Sequence, residues 1–225
     1  MKKILSIILI LTCVFTLFSC DSEGEKALKR IDEMYNAISP TKIVTETTEV
    51  IGEVTLTSTS NFVTGTYDSK VVSVYEYTKQ QLRSIDEGAT DVQLLPWVET
   101  SGKLEYLEGK GVRENGGKWS AKGEDFAPEV GAISINAKAK NVKDISNDEQ
   151  KKLVSFIIPA DNTEAVFGEG NAILADVSVT IKHDGGAITG IVISYTVEGE
   201  EDSHPSIITT IKADYYYDPE QITIE

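Results

Sequence analysis

The 225-residue chain is strongly acidic, carrying 36 Asp and Glu against 21 Lys and Arg for a formal charge of −15. Its acidic residues are spread along the sequence rather than gathered in a tail, and that field repels nucleic acid and anionic lipid head groups. With 2 cysteines and 2 histidines, the chain is too poor in soft ligands for a closed zinc site, and it implies no metal and no cofactor.

Met1-Lys2-Lys3 gives a short basic start, and Ile4 to Phe18 is apolar except for Ser6, Thr12 and Thr16, the n-region and h-region of a secretory signal. The run is shorter than the roughly 20 apolar residues of a membrane span, and Asp21-Ser22-Glu23 follows at once. Its end, Leu17-Phe18-Ser19-Cys20, resembles the bacterial lipobox. Residues 1–19 are therefore expected to be removed as a lipoprotein signal peptide, leaving Cys20 as the lipidated N-terminus of a 206-residue chain with a formal charge of −17 once Lys2 and Lys3 are gone. A thiolate at that position takes a diacylglyceryl group as a thioether, and the freed amine takes a further acyl chain of the palmitate kind. Two or more chains, at about 0.8 kcal/mol per buried methylene, hold a protein stably on a bilayer. Cys13 lies in the discarded segment, so no thiol remains for a disulfide or a nucleophile. Residues 20–26 read as the lipidated end and a short polar tether, and 27–225 as a single domain. The expected location is the cell membrane or outer membrane, with the folded part outside the cytoplasm.

Leu28, Ile31, Tyr35 and Ile38 recur at helical spacing until Ser39-Pro40 stops the pattern, which predicts an amphipathic opening helix. From Thr41 the period changes to two: Val50, Val54, Leu56 and Phe62 alternate with Thr and Glu. Val71 to Thr78 continues in the same way, with Val72 and Val74 on one face and Val71, Tyr75 and Tyr77 on the other. After a break near Asp86 to Thr90, Val92 to Val98 carries Pro96-Trp97 and reads as an edge strand or an irregular crossing. Leu104, Tyr106 and Leu107 lead to Asn115-Gly116, the strongest hairpin-turn signal in the chain. Asp144 to Ile158 predicts a second helix, with Ser146 and Glu149 as a capping box, an apolar face of Leu153, Val154, Phe156 and Ile157, and Pro159 as the stop. Val177, Val179 and Ile181 then alternate with polar residues, Asp184-Gly185-Gly186 turns, and Ile191, Ile193, Tyr195 and Val197 return. A last strand holds Ile207, Ile211, Ala213, Tyr215 and Tyr217, and Ile222-Thr223-Ile224 ends the chain.

The opening helix, the segment Asn115-Gly116-Gly117-Lys118-Trp119 and the alternating run Val177 to Tyr217 together resemble the LolA and LppX/LprG-like lipoprotein superfamily. That resemblance implies an α+β fold: a strongly curved antiparallel sheet forming an open half-barrel, with the N-terminal and mid-chain helices packed on the concave face. It also implies a role in binding, chaperoning or transferring a lipid or other hydrophobic molecule in the cell envelope.

A curved sheet with an apolar face must cover that face, and two amphipathic helices are what this chain offers. Any space they leave would accept an acyl chain, with Leu28, Ile31, Tyr35 and Ile38 gating entry and Val54, Leu56, Val72 and Val74 lining it on one side. Val179, Ile181, Ile191 and Ile193 would line it on the other. The alternative is a non-enzymatic structural or protein-interaction module with a fully packed core and an envelope protein as partner. Catalysis is not expected: His183 precedes a Gly-Gly turn, His204 precedes Pro205, and no G-x-S-x-G motif is present. Both histidines read as surface-loop residues. The acidic run Glu198 to Asp202 lacks the ligand periodicity of an EF-hand and reads as a solvated loop. The glycines between Gly109 and Gly117 read as turns, and Trp97, Trp119, Tyr195, Tyr215, Tyr216 and Tyr217 as packing residues before sugar or lipid contacts.

Overall fold

The computed structural model describes residues 22–82, 97–120, 133, 135–199 and 205–224. The signal segment, Cys20, most of the Val92–Val98 run and His204 lie outside the described residues.

Helix α1 (Glu23–Ala37) opens the fold. Ser22 and Glu25 form a reciprocal capping box: the Ser22 hydroxyl accepts from the Glu25 amide at 3.2 Å, and the Glu25 carboxylate accepts from the Ser22 amide at 3.0 Å. Residues 23–26, expected as tether, are thus the first turn of this helix. It buries Ala27, Leu28, Ile31 and Met34 along one stripe. Ile38 lies past the C-terminus in extended backbone and is 48 % exposed, so it is no part of the apolar face predicted for it.

The remainder is mostly sheet. Strands β1 (Lys42–Ile51), β2 (Val54–Tyr67), β3 (Lys70–Leu82), β4 (Trp97–Leu107) and β5 (Gly111–Glu114) form a meander toward one edge. Strands β6 (Lys143–Asp148), β7 (Leu153–Ile158), β8 (Val177–His183), β9 (Ile188–Val197) and β10 (Ile207–Tyr216) run back from the other edge. The two sets join where β1 pairs with β10, giving the order β5-β4-β3-β2-β1-β10-β9-β8-β7-β6, antiparallel throughout and not closed. A two-residue strand, β11 (Glu220–Gln221), pairs in parallel with Gly65 and Thr66 of β2, just beyond Val63, where β2 faces Lys42, the first residue of β1.

The predicted helix over Asp144–Ile158 is instead the β6–β7 hairpin. Val154, Phe156 and Ile158 are all at or below 2 % exposure and sit opposite Ile181, Val179 and Val177, whereas Leu153, Ser155 and Ile157 point to the other face. That is a period of two in a run rich in β-branched residues, and burial against β8 outweighs the helical reading. Ser146 and Glu149 make no cap; Asp148 holds the turn, its carboxylate accepting from the Lys151 amide at 3.0 Å, and Lys152 follows at φ +55°. The only α-helix after it among the described residues is the five-residue α2 (Thr163–Phe167), which follows Pro159 and a 3-10 turn.

Other turns are local chemistry. The single run expected from Thr41 to Phe62 is split at Gly52-Glu53, with Gly52 at φ +59° and Ile51 facing Val54. Asn115-Gly116 turns as predicted, at φ +48° and +71°, the Gly117 amide donating to the Glu114 carbonyl at 2.8 Å. It follows β5 rather than joining β4 to β5, and Ser120 folds back to bridge Val112.

The main core lies on one face. Leu28, Ile31 and Met34 of α1 pack into one cluster with Phe156 and Ile158 of β7, Val177, Val179 and Ile181 of β8, Ile191 and Ile193 of β9, and Ala213 and Tyr215 of β10. Cross-strand register puts Ile43, Phe62 and Leu56 on this same face. On β3 the opposite face is also buried: Val72, Val74 and Leu107 are at most 9 % exposed and alternate away from the main core. Glu105 is buried beside them at 3 %, bonded to Arg113 and ion-paired at 3.5 Å with Lys103. Thr223 borders the same recess, so the chain end beyond β11 crosses this side of the sheet.

Candidate functional site

The residues predicted to line a hydrophobic site do not gather into one. Leu28, Ile31, Val179, Ile181, Ile191 and Ile193 are core side chains at 0–4 % exposure, touching one another across the space between α1 and the sheet. Tyr35 lies at the rim of that core and donates its hydroxyl to the Ile133 carbonyl at 2.9 Å. Burial pushes the Tyr35 phenol well above its ordinary range, and pushes that of Tyr215 up to about 12. Leu56 is buried in the other half of the same face and Val54 is half-buried at its hairpin. Val72 and Val74 stand on the opposite face, so they share no pocket with the rest.

His183 is not a loop residue but the last residue of β8, 7 % exposed, with a buried Nδ1 that meets no hydrogen-bond partner among the described residues. Burial, then the Arg30 and Lys152 charges, hold its pKa below the usual histidine range. The aromatic residues singled out in the sequence also scatter. Tyr215 is in the core, Tyr217 donates to the Ile188 carbonyl at 2.6 Å, and Tyr216 faces outward near Lys42. Trp119 takes Arg113 over its ring at 4.8 Å.

What the structure does bring together is a polar groove of about 500 Å³ on β1, β2 and β3. The side chains of Thr45, Thr47 and Glu49 on β1, Ser60 on β2, and Tyr75 and Tyr77 on β3 border it and share the core face of the sheet, as their cross-strand partners require. It opens where β2 and β3 separate. Their pairing ends at Thr59 and Thr78, while β2 continues with β1 to Val54 and β3 continues with β4 to Trp97.

Side chains take over the backbone bonding at that fork. The Thr57 amide donates to the Gln80 side-chain carbonyl at 2.9 Å, and the Gln80 amide donates to the Ser58 hydroxyl at 3.2 Å. The Gln80 side-chain amide is steadied in turn by Glu99 at 3.0 Å. The groove wall is aromatic: the Tyr75 and Tyr77 rings stack with centroids 5.7 Å apart and 27° between their planes. Tyr77 lies against Gly102 of β4 so closely that a Cβ there would sit 2.7 Å from its hydroxyl. A mid-strand glycine weakens a sheet by roughly 0.5–1 kcal/mol, and here it makes the room that the ring occupies.

The groove was hidden in the sequence because threonine and serine alternation reads as strand propensity. Tyr75 and Tyr77 did register as one face of a strand, but nothing local places them beside Gly102 or Ser60.

Among the described residues no three His, Cys, Asp or Glu side chains converge on a metal-sized point, and no helix is long and apolar enough to cross a membrane. No protein-family model matches the chain, and no curated protein matches it. Solved structures similar to it include a DUF1329 family protein from Desulfovibrio piger, at 9 % identity and a TM-score of 0.25 over 87 % of this chain and 92 % of that one. Others are a hypothetical protein from Chlamydia trachomatis (11 %, TM-score 0.24, 91 % and 98 % covered) and the MucA/MucB complex of Pseudomonas aeruginosa (9 %, TM-score 0.16, 86 % and 94 % covered). Scores this low add nothing to the fold read from the strand register.

Proposed function

We propose that this chain is a lipid-anchored, non-enzymatic binding protein of the bacterial cell envelope. Cys20 carries the anchor, α1 and strands β6 to β10 form a scaffold, and the groove on β1 to β3 receives the ligand. Half-barrel curvature with α1 on the hollow side belongs to the same reading. The observation that carries it is the buried apolar cluster between α1 and strands β7 to β10, set beside an open groove of hydroxyls and tyrosine rings elsewhere on the same face.

Carriage of a lipid under α1, which the LolA-like resemblance implies, requires the helix to lift. Until an acyl chain replaced the contact, Leu28, Ile31 and Met34 would lose their burial at about 1.5–3 kcal/mol each, an opening cost comparable with the whole stability of many domains. A fixed scaffold with a separate binding surface avoids that cost.

The test is amide chemical-shift mapping of the purified mature protein against fractionated envelope extract. Shifts confined to residues around Thr47, Ser60 and Tyr77 support the proposal. Shifts centred on Leu28, Ile31 and Ile191 with the lipid fraction overturn it in favour of lipid carriage.

A further inference from the structure

We infer that the groove on β1 to β3 recognises a neutral carbohydrate, an inference that rests on the groove being the binding surface. Three properties of its lining point to that ligand class.

The first is the mixed character of the wall and floor. The paired Tyr75 and Tyr77 rings offer an apolar surface held in place by stacking and by the space at Gly102. Facing them, Thr45, Thr47 and Ser60 offer hydroxyls that both donate and accept. A pyranose ring has the matching pair of surfaces: a face of C–H groups that lies on an aromatic ring, and a rim of hydroxyls that also donate and accept. A purely apolar ligand would strip water from the hydroxyls without replacing its bonds, which costs free energy for each group left unpaired.

The second is charge. Glu49 and Lys79 both line the groove, so its own charge is balanced, and the chain carries −15 overall. Phosphorylated or uronic polymers would enter against that field, whereas a neutral sugar is indifferent to it.

The third is the state of the backbone at the fork. An extended peptide would bind a separating strand by pairing with its main chain. Here the Thr57 amide is already held by the Gln80 side chain and the Gln80 amide by Ser58. The fork is capped against strand addition, which leaves side-chain hydroxyls and rings as the recognising groups. Its volume of about 500 Å³ falls within the roughly 300–1,000 Å³ of small-ligand sites, room for a short oligosaccharide.

The experiment titrates the mature protein with cellotriose, maltotriose and the N-acetylglucosamine trimer, followed by amide chemical shifts. The expected result is saturable shifts at Thr45, Thr47, Ser60, Tyr75 and Tyr77 with at least one trimer. Tyr77→Ala is expected to weaken that binding about tenfold or more, and Thr47→Val by several-fold, while Tyr77→Phe keeps the ring and most of the affinity. Circular dichroism of each variant separates lost binding from lost folding. The inference is overturned if no trimer shifts the groove, or if Tyr77→Ala and Thr47→Val, both folded, bind as well as the parent. If the groove answers to the protein or lipid fraction of envelope extract but to no sugar, carbohydrate recognition fails and the binding surface stands. If it answers to no fraction, both fail.

Discussion

Tyr77 and Gly102 face each other across β3 and β4, and the ring occupies the volume that any side chain at 102 would need. This one register pair fixes the aromatic wall of the groove, since Tyr75 stacks on Tyr77. Gly102→Ala is therefore expected to lower stability by about 1–3 kcal/mol, as overpacking does, although alanine alone suits a strand better than glycine. The double variant Gly102→Ala with Tyr77→Ala is expected to recover part of that loss, because the clash is gone. Urea unfolding of the single and double variants gives the coupling directly.

Leu28 and Ile31 are expected to behave as core residues. Leu28→Ala and Ile31→Ala each remove a side chain at 4 % or 3 % exposure, and each is expected to cost about 2–5 kcal/mol. Ile38→Ala, at an exposed position past the helix, is expected to stay within about 0.5 kcal/mol of the parent. A gate made of all three would show comparable stability effects and altered ligand uptake instead.

Glu105 depends on its cations. Burial works against its charged form, but the Arg113 bond and the Lys103 charge prevail and hold its pKa below the ordinary carboxylate value. Arg113→Ala leaves a buried carboxylate with only Lys103, and loss of one partner of a buried pair typically costs about 3–5 kcal/mol. The contribution of a depressed carboxylate is present above its unfolded pKa and is lost as pH falls through the folded one. Denaturant melts below about pH 4.3 are therefore expected to bring parent and Arg113→Ala closer together.

The legible part of this fold is the part whose signals are local. The opening helix, the Val177–Ile193 hairpin and the Asn115-Gly116 turn each announce themselves within a few residues, through spacing, alternation or a required positive φ. The β6–β7 hairpin does not, because Asp148 closes a turn without glycine or proline and Ser146 with Glu149 imitates a cap. A real capping box stands at Ser22 and Glu25, where the same four-residue pattern precedes the apolar stripe. The site was less legible still. Val72 and Val74 looked like companions of Val179 and Ile181, yet strand register sends them to opposite faces. The groove itself exists only through the pairing of β1, β2, β3 and β4.

His183 gives a pH dependence of the opposite origin to Glu105. Its folded pKa is depressed by burial and by Arg30 and Lys152, so the unfolded chain binds the proton more readily. Stability from this residue is full above about pH 6.5, the ordinary histidine value, and declines as pH falls from there toward the folded pKa. His183→Gln is expected to flatten that decline in urea melts taken between about pH 7 and 5. An unchanged slope would remove His183 from the account.

The central claim is that α1 is fixed scaffold and that binding happens elsewhere, and a covalent lock tests it most directly. A Cβ placed at Gly24 lies 3.0 Å from the Ile145 Cβ, so the backbones need part by only about half an ångström to reach the roughly 3.5–4.5 Å of disulfide geometry. The variant Gly24→Cys with Ile145→Cys pins the helix to β6 when oxidised. Titrated with envelope extract, oxidised and reduced protein are predicted to show the same groove shifts with the same affinity. Binding that disappears on oxidation and returns on reduction would contradict the account and put the ligand under α1.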